Sequence, residues 1–455
     1  MRYNEPALKN INKNFSERVK KLKRFLCILC SSVLLFSPLF GCSGSSGSES
    51  SAPTAESSSE APASSAAAEK TTITIMQSKT EIQNDLQKVV DDYNSSQSDI
   101  TVKLLGTSGD NYATVLQSQF SASPEKAPTI FTLSGPDAAK FNQFMAPLDS
   151  SKSAGILLDE FKSDVTVDGK ICGLPMAVEG YGFIYNKDMF QKAGVDASSL
   201  TTIDAFTDAC KKLKGVSGVT APIAFAKDNY FIFMHFVNWG FAVSGDYKNQ
   251  IQQLSSGKLK LSGIPSMAQW AKDLDAIKPY TNKALDTYDD QVSGFASGKY
   301  AMIHQGDWVQ TMLDQDKVSF QYGILPFPTG GNTKLSVGLA NAWRVNNKAT
   351  EQQQAAAIKF LDWLITSDKG QSYCADTFKF IPAFKDLKAP TTELAKAVSE
   401  YVQKSQTIPW VYNTDFPSGI DVDGAALMQK YYAGAVNSSQ LLDELTQAWV
   451  QDAAK

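Results

Sequence analysis

One carboxylate stands inside an apolar stretch. The run Asp168-Gly-Lys-Ile-Cys-Gly-Leu-Pro-Met-Ala-Val-Glu-Gly-Tyr-Gly-Phe-Ile-Tyr-Asn-Lys-Asp-Met-Phe190 sets Glu179 directly after the apolar residues Ile171 to Val178. A carboxylate in such a setting needs hydrogen-bond donors, because burying an unpaired charge costs more than the neighbouring apolar contacts return. Sugar hydroxyls are one source of those donors; the other reading is an edge glutamate that is solvated or paired with a lysine. Gly180 and Gly182 bracket Tyr181, so the backbone after Glu179 can turn freely or approach another molecule closely. Catalytic sets, by contrast, are missing. There are two histidines, no His-Glu-x-x-His, no Gly-x-Ser-x-Gly and no Gly-x4-Gly-Lys-Ser/Thr loop. Ser255-Ser-Gly-Lys258 fits Ser-x-x-Lys without its companion motifs. No catalytic residue, metal site or cofactor is expected, although a carboxylate pair about 5 to 10 Å apart would suffice for glycoside hydrolysis.

The elements around Glu179 follow from local pattern. Asp168-Gly169 reads as a turn, and Pro175 bends an extended segment buried between two masses of protein. Phe183 to Tyr185 resume the extended pattern, Asn186 caps a short helix and Gly194 ends it. Upstream, Thr72 to Ile75 alternate as a strand and Ile82, Leu86, Val89, Val90 and Tyr93 share a helical stripe. Ile100, Val102 and Leu104 give a second strand, Tyr112, Val115, Leu116 and Phe120 a second helix, and Thr129 to Leu133 a third strand before a helix through Phe141 and Phe144. This alternation predicts an α/β fold with a parallel sheet and right-handed crossovers. Ligands of such sheets sit at the carboxyl ends of strands. The loops there hold Gln77, Lys79, Ser134 and Asp137, each equally able to serve as a plain helix cap.

Further along, Ile203, Phe206, Cys210 and Leu213 form one stripe, and Met267, Trp270, Leu274 and Ile277 another, which makes Trp270 a core residue. Asp228-Asn-Tyr230-Phe opens an aromatic run to Phe241, within which His235 reads first as a hydrogen-bonded structural histidine and second as a ligand contact. Gly306 would let a ligand approach, and Trp308, just past a strand end, should expose one ring face. Ile408 to Gly419 is aromatic and aperiodic, so Trp410 either packs on the body or lines a site.

Several of these segments carry a resemblance. Pro175-x-Ala-Val-Glu179-x-x-x-x-Ile-Tyr-Asn-Lys-Asp188 resembles the equivalent segment of maltose/maltodextrin-binding proteins and the wider family 1 of extracellular solute-binding proteins of ABC importers. Tyr300-Ala-Met-Ile-His-Gln-Gly-Asp-Trp308 resembles the Ala-Met-x-x-x-Gly-x-Trp strand of that family, Val337 to Arg344 its return segment, and Phe380-Ile-Pro-Ala-Phe384 its Pro-containing turn. The resemblance covers about Thr72 to Gln451. It implies a two-lobed periplasmic-binding-protein-like fold of type II, with an interlobe ligand cleft and a hinge. Lobe 1 would comprise 71–177 plus 338–390, and lobe 2 would comprise 178–337 plus 391–455. It further implies sugar contacts from Glu179, Tyr181, Asp228, Tyr230, Asp307, Trp308 and Trp343, with Gln77, Lys79, Ser134 and Asp137 on the first wall, and the aromatic loop adds Trp410 as a candidate on its composition. The expected role is a monomeric substrate-binding lipoprotein that captures a carbohydrate and delivers it to ABC transporter permease subunits. The alternatives are a carbohydrate-active hydrolase, or a surface sensor or adhesin built on the same fold.

Charge and composition agree with an exported protein. The first 41 residues carry eight Lys/Arg against two Glu, a local +6 that leaves −10 for the rest of a chain whose total is −4. An acidic body argues against nucleic acid. Lys20 to Arg24 followed by the apolar run Phe25 to Phe40 reads as a signal peptide, too short to span a membrane. Residues 1–41 would be that leader. Leu39-Phe-Gly-Cys42 resembles a lipobox, implying lipidation of Cys42, and residues 42–70 would be the lipidated cysteine and a disordered tether built from Ser, Ala, Glu, Pro and Gly. The stretch ahead of Lys20 is long for a leader and leaves the translation start open. Cys172, Cys210 and Cys374 are an odd, widely spaced set that reads as buried thiols, with one disulfide as the alternative.

Overall fold

The computed structural model describes residues 70–106, 111–133 and 136–455, the side chains of Pro136, Asp137 and Glu160 excepted. The leader, the tether, Cys42 and Ser134 lie outside the described residues, as does the side chain of Asp137.

In chain order the main-sheet strands are β1 (Thr71–Met76), β2 (Ile100–Leu104), β3 (Ile130–Leu133), β4 (Leu174–Pro175), β5 (Val178–Asn186), β6 (Ala221–Ala224), β7 (Tyr300–Gly306), β8 (Tyr322–Leu325), β9 (Leu335–Leu339), β10 (Ala342–Val345) and β11 (Thr407–Ile408). They form two sheets, one ordered β2-β1-β3-β10-β4 and the other β11-β9-β5-β7-β6, with β8 also paired to β5. The first sheet is not wholly parallel as the strand and helix alternation predicts. Ile73 pairs with Val102 and Ile75 with Ile130 in parallel, but β10 returns antiparallel, with Arg344 opposite Phe131. A strand that arrives from the other lobe needs no helical crossover, so its direction is not constrained by the handedness rule.

Both faces of the first sheet are covered, as its near-continuous apolar strands require. Successive side chains alternate across it: Ile73, Ile75 and Ile130 pack with Leu86, Val89 and Leu361, while Met76, Phe131 and Leu133 pack with Tyr112, Phe120 and Phe141. The second sheet repeats the scheme. Tyr181 and Phe183 face a core containing Trp239, Trp270 and Trp449, and Ile184 faces Val292, Phe295 and Val398.

The chain passes between the sheets at Pro175 to Val178 and again at Leu339 to Ala342. Near Ile381, whose carbonyl accepts from the Val178 amide at 2.8 Å, it leaves the first sheet again for the helix Glu393–Gln403, where Leu394 and Val398 join the second lobe's core. Local signals around the first passage behave as expected. Asp168 and Gly169 take positive φ of 49° and 77°, the Asn186 side chain accepts from the Met189 amide at the start of the helix Lys187–Ala193, and Gly194 closes that helix at φ 61°. Gly182 differs from expectation: it lies in extended β5, where a Cβ would meet the Leu325 carbonyl oxygen at 2.2 Å, so its role is close strand packing and not turning. Cys172 and Cys210 are buried and Cys374 is half-buried, its Sγ donating to the Leu364 carbonyl at 3.6 Å; none of the three is in a disulfide.

Candidate functional site

A cleft of about 430 Å³ opens where the carboxyl ends of β1 and β3 meet the start of β5 and the end of β7. The first lobe contributes Lys79 from the loop after β1. Gln77 is fully buried beneath that loop and frames it: its Oε1 accepts from the Lys79 amide at 2.6 Å, and its Nε2 donates to the Lys79 carbonyl at 2.8 Å and to Gln83 Oε1 at 2.7 Å. Thus Gln77 positions Lys79 and does not line the cleft.

Lys79 reaches across to the second lobe. Its Nζ lies 2.9 Å from Glu179 Oε1 and 2.8 Å from Glu81 Oε1, with side-chain exposures of 10%, 6% and 8% for the three groups. Burial pulls the ammonium down, yet the Glu179 and Glu81 charges outweigh it and hold the pKa of Lys79 above the ordinary lysine range. Burial pushes Glu179 up, with Lys79 opposing. The lysine-paired reading of Glu179 is therefore the one realised, and the pair sits at the cleft.

The second lobe supplies a wall of rings. Trp308 lines the cleft half-buried, its Nε1 donating to Gln305 Oε1 at 2.8 Å, and Phe231 lies nearly parallel to it at 6.1 Å and 19°. Trp410 stacks on Tyr412 at 5.5 Å and 25°, and Tyr230, more than a third exposed, meets Tyr412 edge-on. Behind them Tyr181 is fully buried, its ring stacked on His235 at 4.1 Å and 12° and its hydroxyl donating to the His235 carbonyl at 3.2 Å. Rings of this kind give an apolar face to a flat ligand and polar edges to its rim.

The lining also carries polar atoms with no hydrogen-bond partner among the described residues: His235 Nδ1, Tyr288 Oη, Asn341 Oδ1, Trp410 Nε1 and Tyr412 Oη. Buried polar groups in native folds are mostly satisfied, and five on one lining can take hydrogen-bond partners from a polar molecule in the cleft. Burial first, then neighbouring His304, holds the His235 imidazole well below its ordinary pKa, and burial holds the Tyr288 and Tyr412 phenols well above theirs. At neutral pH all three are uncharged. They donate and accept hydrogen bonds, and none is set up as a base beside a nucleophile.

Of the residues expected from sequence, Lys79, Glu179, Asp228, Tyr230, Trp308 and Trp410 line the cleft. Four expectations need correction. Tyr181 points into the second lobe's core and supports His235. Trp343 is 2% exposed in the first lobe's core, on β10 opposite Thr132 and Leu174, while Asn341 two residues earlier reaches the cleft. Asp307 is buried behind the wall, its Oδ1 accepting from the Gly180 amide at 2.9 Å; burial and then the Glu179 charge raise its pKa well above the ordinary value. Gln77 is the fourth, as above. The role of Gly306 also changes: a Cβ there would meet the Trp308 ring at 2.2 to 2.5 Å, so the glycine makes room for that indole and not for a ligand.

Sequence reasoning missed Glu81, Phe231, Tyr288, Asn341 and Tyr412, and ranked His235 as structural. Asn341 had a usable signal, a lone amide interrupting the apolar return segment, and Tyr412 sits two residues past Trp410 in the aperiodic loop. Tyr288 gave none, because it lies in the polar run Asp286-Thr-Tyr-Asp-Asp290.

The model of a bacterial extracellular solute-binding protein family matches residues 88–405. The maltodextrin-binding protein MdxE of Bacillus subtilis is 24% identical over 274 residues, covering 59% of this chain and 61% of that protein. A maltooligosaccharide ABC transporter solute-binding lipoprotein of Streptococcus pneumoniae is 25% identical over 258 residues, covering 55% of this chain and 59% of its own length. The matched part thus spans about six-tenths of these relatives. Among solved structures, a chitin oligosaccharide binding protein superposes with a TM-score of 0.72 at 24% identity, over 85% of this chain and all of the other. The binding protein RafE in complex with raffinose superposes at 0.71 and 19% identity, over 84% of this chain and all of the other. These likenesses establish the two-lobed α/β fold.

Proposed function

This chain belongs to the bacterial extracellular solute-binding protein family, and from that premise we propose that it captures a carbohydrate in the cleft between its lobes and passes it to the permease of an ABC importer. The observation that carries this reading is the cleft lining: stacked rings beside five polar atoms with no partner among the described residues, and a lysine tied in an ion pair. A pyranose has that complement, an apolar face of C–H groups and a rim of hydroxyls. The ligands of the relatives, maltodextrin, maltooligosaccharide, raffinose and chitin oligosaccharide, support the same chemical class. The lobes are taken as 71–177 with 338–390 and 178–337 with 391–455, hinged at the passages between the sheets. Closure then gains from the ligand's preference for the two-walled state. Binding proceeds without chemistry, and the protein acts as a monomer.

A melting-temperature screen over a panel of neutral oligosaccharides tests the reading. A ligand at a hundred times its Kd should stabilise the protein by about 2.7 kcal/mol, and a panel without any shift would remove the carbohydrate assignment. With a ligand in hand, Trp308→Ala should weaken binding by about 1 to 3 kcal/mol, five-fold to more than a hundred-fold, and barely move the melting temperature, as read by calorimetric titration. The anchor is tested separately. Cys42→Ala should abolish labelling by a palmitate analogue in the membrane fraction, and undiminished labelling would place the lipid elsewhere.

A further inference from the structure

We propose that Glu81 sets the charge selectivity of the cleft, excluding carboxylated and phosphorylated ligands in favour of neutral and amine-bearing ones. Among the described residues, Lys79 supplies the one cationic group of the lining, which also holds the carboxylates of Glu81, Glu179, Asp228, Asp289 and Asp421, and of these Glu81 and Glu179 are the two in contact with the ammonium. Paired with Glu179 alone, that ammonium would form a neutral couple whose remaining N–H groups could be drawn to a ligand carboxylate or phosphate. Glu81 sits two residues away on the short turn Thr80–Ile82, and its carboxylate takes the ammonium at 2.8 Å against 2.9 Å for Glu179. The triad then carries a net charge of −1 in a site whose three side chains are each no more than 10% exposed, where charges are poorly screened. The negative field reaches another part of the lining: after burial, the charges of Glu81 and Glu179 are the largest influences raising the pKa of Tyr288, whose hydroxyl has no partner among the described residues. An incoming anion meets this field and finds the ammonium occupied. A neutral sugar meets hydroxyl-matched atoms and rings, and an amine is attracted.

For sugars the inference rests on the carbohydrate reading, so its test has an arm that needs no sugar. Trp308 lies beside the triad, with Lys79 Nζ 6.0 Å from its ring centroid. Its fluorescence, taken as the difference between the wild type and Trp308→Phe, should be quenched more by caesium than by iodide when each quencher is scaled to its effect on free N-acetyltryptophanamide. Glu81→Gln should raise the iodide-to-caesium quenching ratio by about two-fold or more at low salt. In the second arm, maltotriose and its C6-oxidised uronate are titrated into both proteins. The wild type should bind the uronate about ten-fold or more weakly, and Glu81→Gln should narrow that gap. Iodide quenching the wild type as well as caesium does, or a ratio unmoved by Glu81→Gln, would overturn the proposal whichever sugar binds. A correct quenching order with no sugar bound would instead uphold the charge filter and sink the carbohydrate reading.

Discussion

Trp270→Ala should cost the fold about 3 to 5 kcal/mol and leave ligand affinity nearly intact in the molecules that remain folded. Trp270 is fully buried on the helix Pro265–Ile277, in the second lobe's core with Met267, Leu274 and Ile277, and it does not line the cleft. Truncation removes the largest side chain available and leaves a cavity that the surrounding helices can close only in part. The contrast with Trp308→Ala isolates the cause: two tryptophans of one lobe should fail differently, one in stability and one in affinity. Thermal melts paired with titrations decide it, and a Trp270 variant that melts like the wild type but binds poorly would mean that the cleft lies on another face of the lobe.

Lys79→Met should be comparably damaging, by about 3 to 5 kcal/mol, because it leaves the carboxylates of Glu179 and Glu81 enclosed without their counter-charge. The loss should depend on pH. Burial already raises the pKa of Glu179 above its ordinary 4.5, with Lys79 as the principal opposing influence, so removing Lys79 drives it further up. A carboxylate whose folded pKa exceeds its unfolded value holds its proton more tightly in the native state. Its contribution therefore favours folding as pH falls from the folded pKa toward 4.5 and is lost as pH rises. The Lys79→Met penalty should accordingly shrink between about pH 7 and about pH 5 in urea titrations, and adding Glu179→Gln to Lys79→Met should recover part of it. A penalty below about 1 kcal/mol at neutral pH would mean that the two carboxylates are hydrated in solution.

Most strands and helices were legible from residues close together in the chain. Alternation marked Thr71–Met76 and Ile100–Leu104, helical stripes marked Trp270 as core, and Asn186 and Gly194 bounded their helix, because these signals depend only on residues within a turn or two of one another. The sequence also brought Glu179, Trp308 and Trp410 to attention, since a charge in an apolar run, a tryptophan past a strand end and an aperiodic aromatic loop are local anomalies.

Which of those side chains share a space was settled by packing between distant segments. Tyr181 and Glu179 project from the same face of β5, yet one ring is sealed by His235 while the carboxylate two residues earlier emerges at the cleft, because the core ends between them. Trp343 and Asn341 divide in the same way on the return segment. The lysine that pairs with Glu179 lies a hundred positions away in the chain, and neither residue's neighbours name the other. The polar atoms of His235, Tyr288, Asn341, Trp410 and Tyr412 come from four separate segments, and that they find no partner among the described residues is visible only in the packed fold. Periodicity reports which face of an element is apolar, but the identity of what that face meets is fixed by the packing of distant segments, and a binding cleft is made of such meetings.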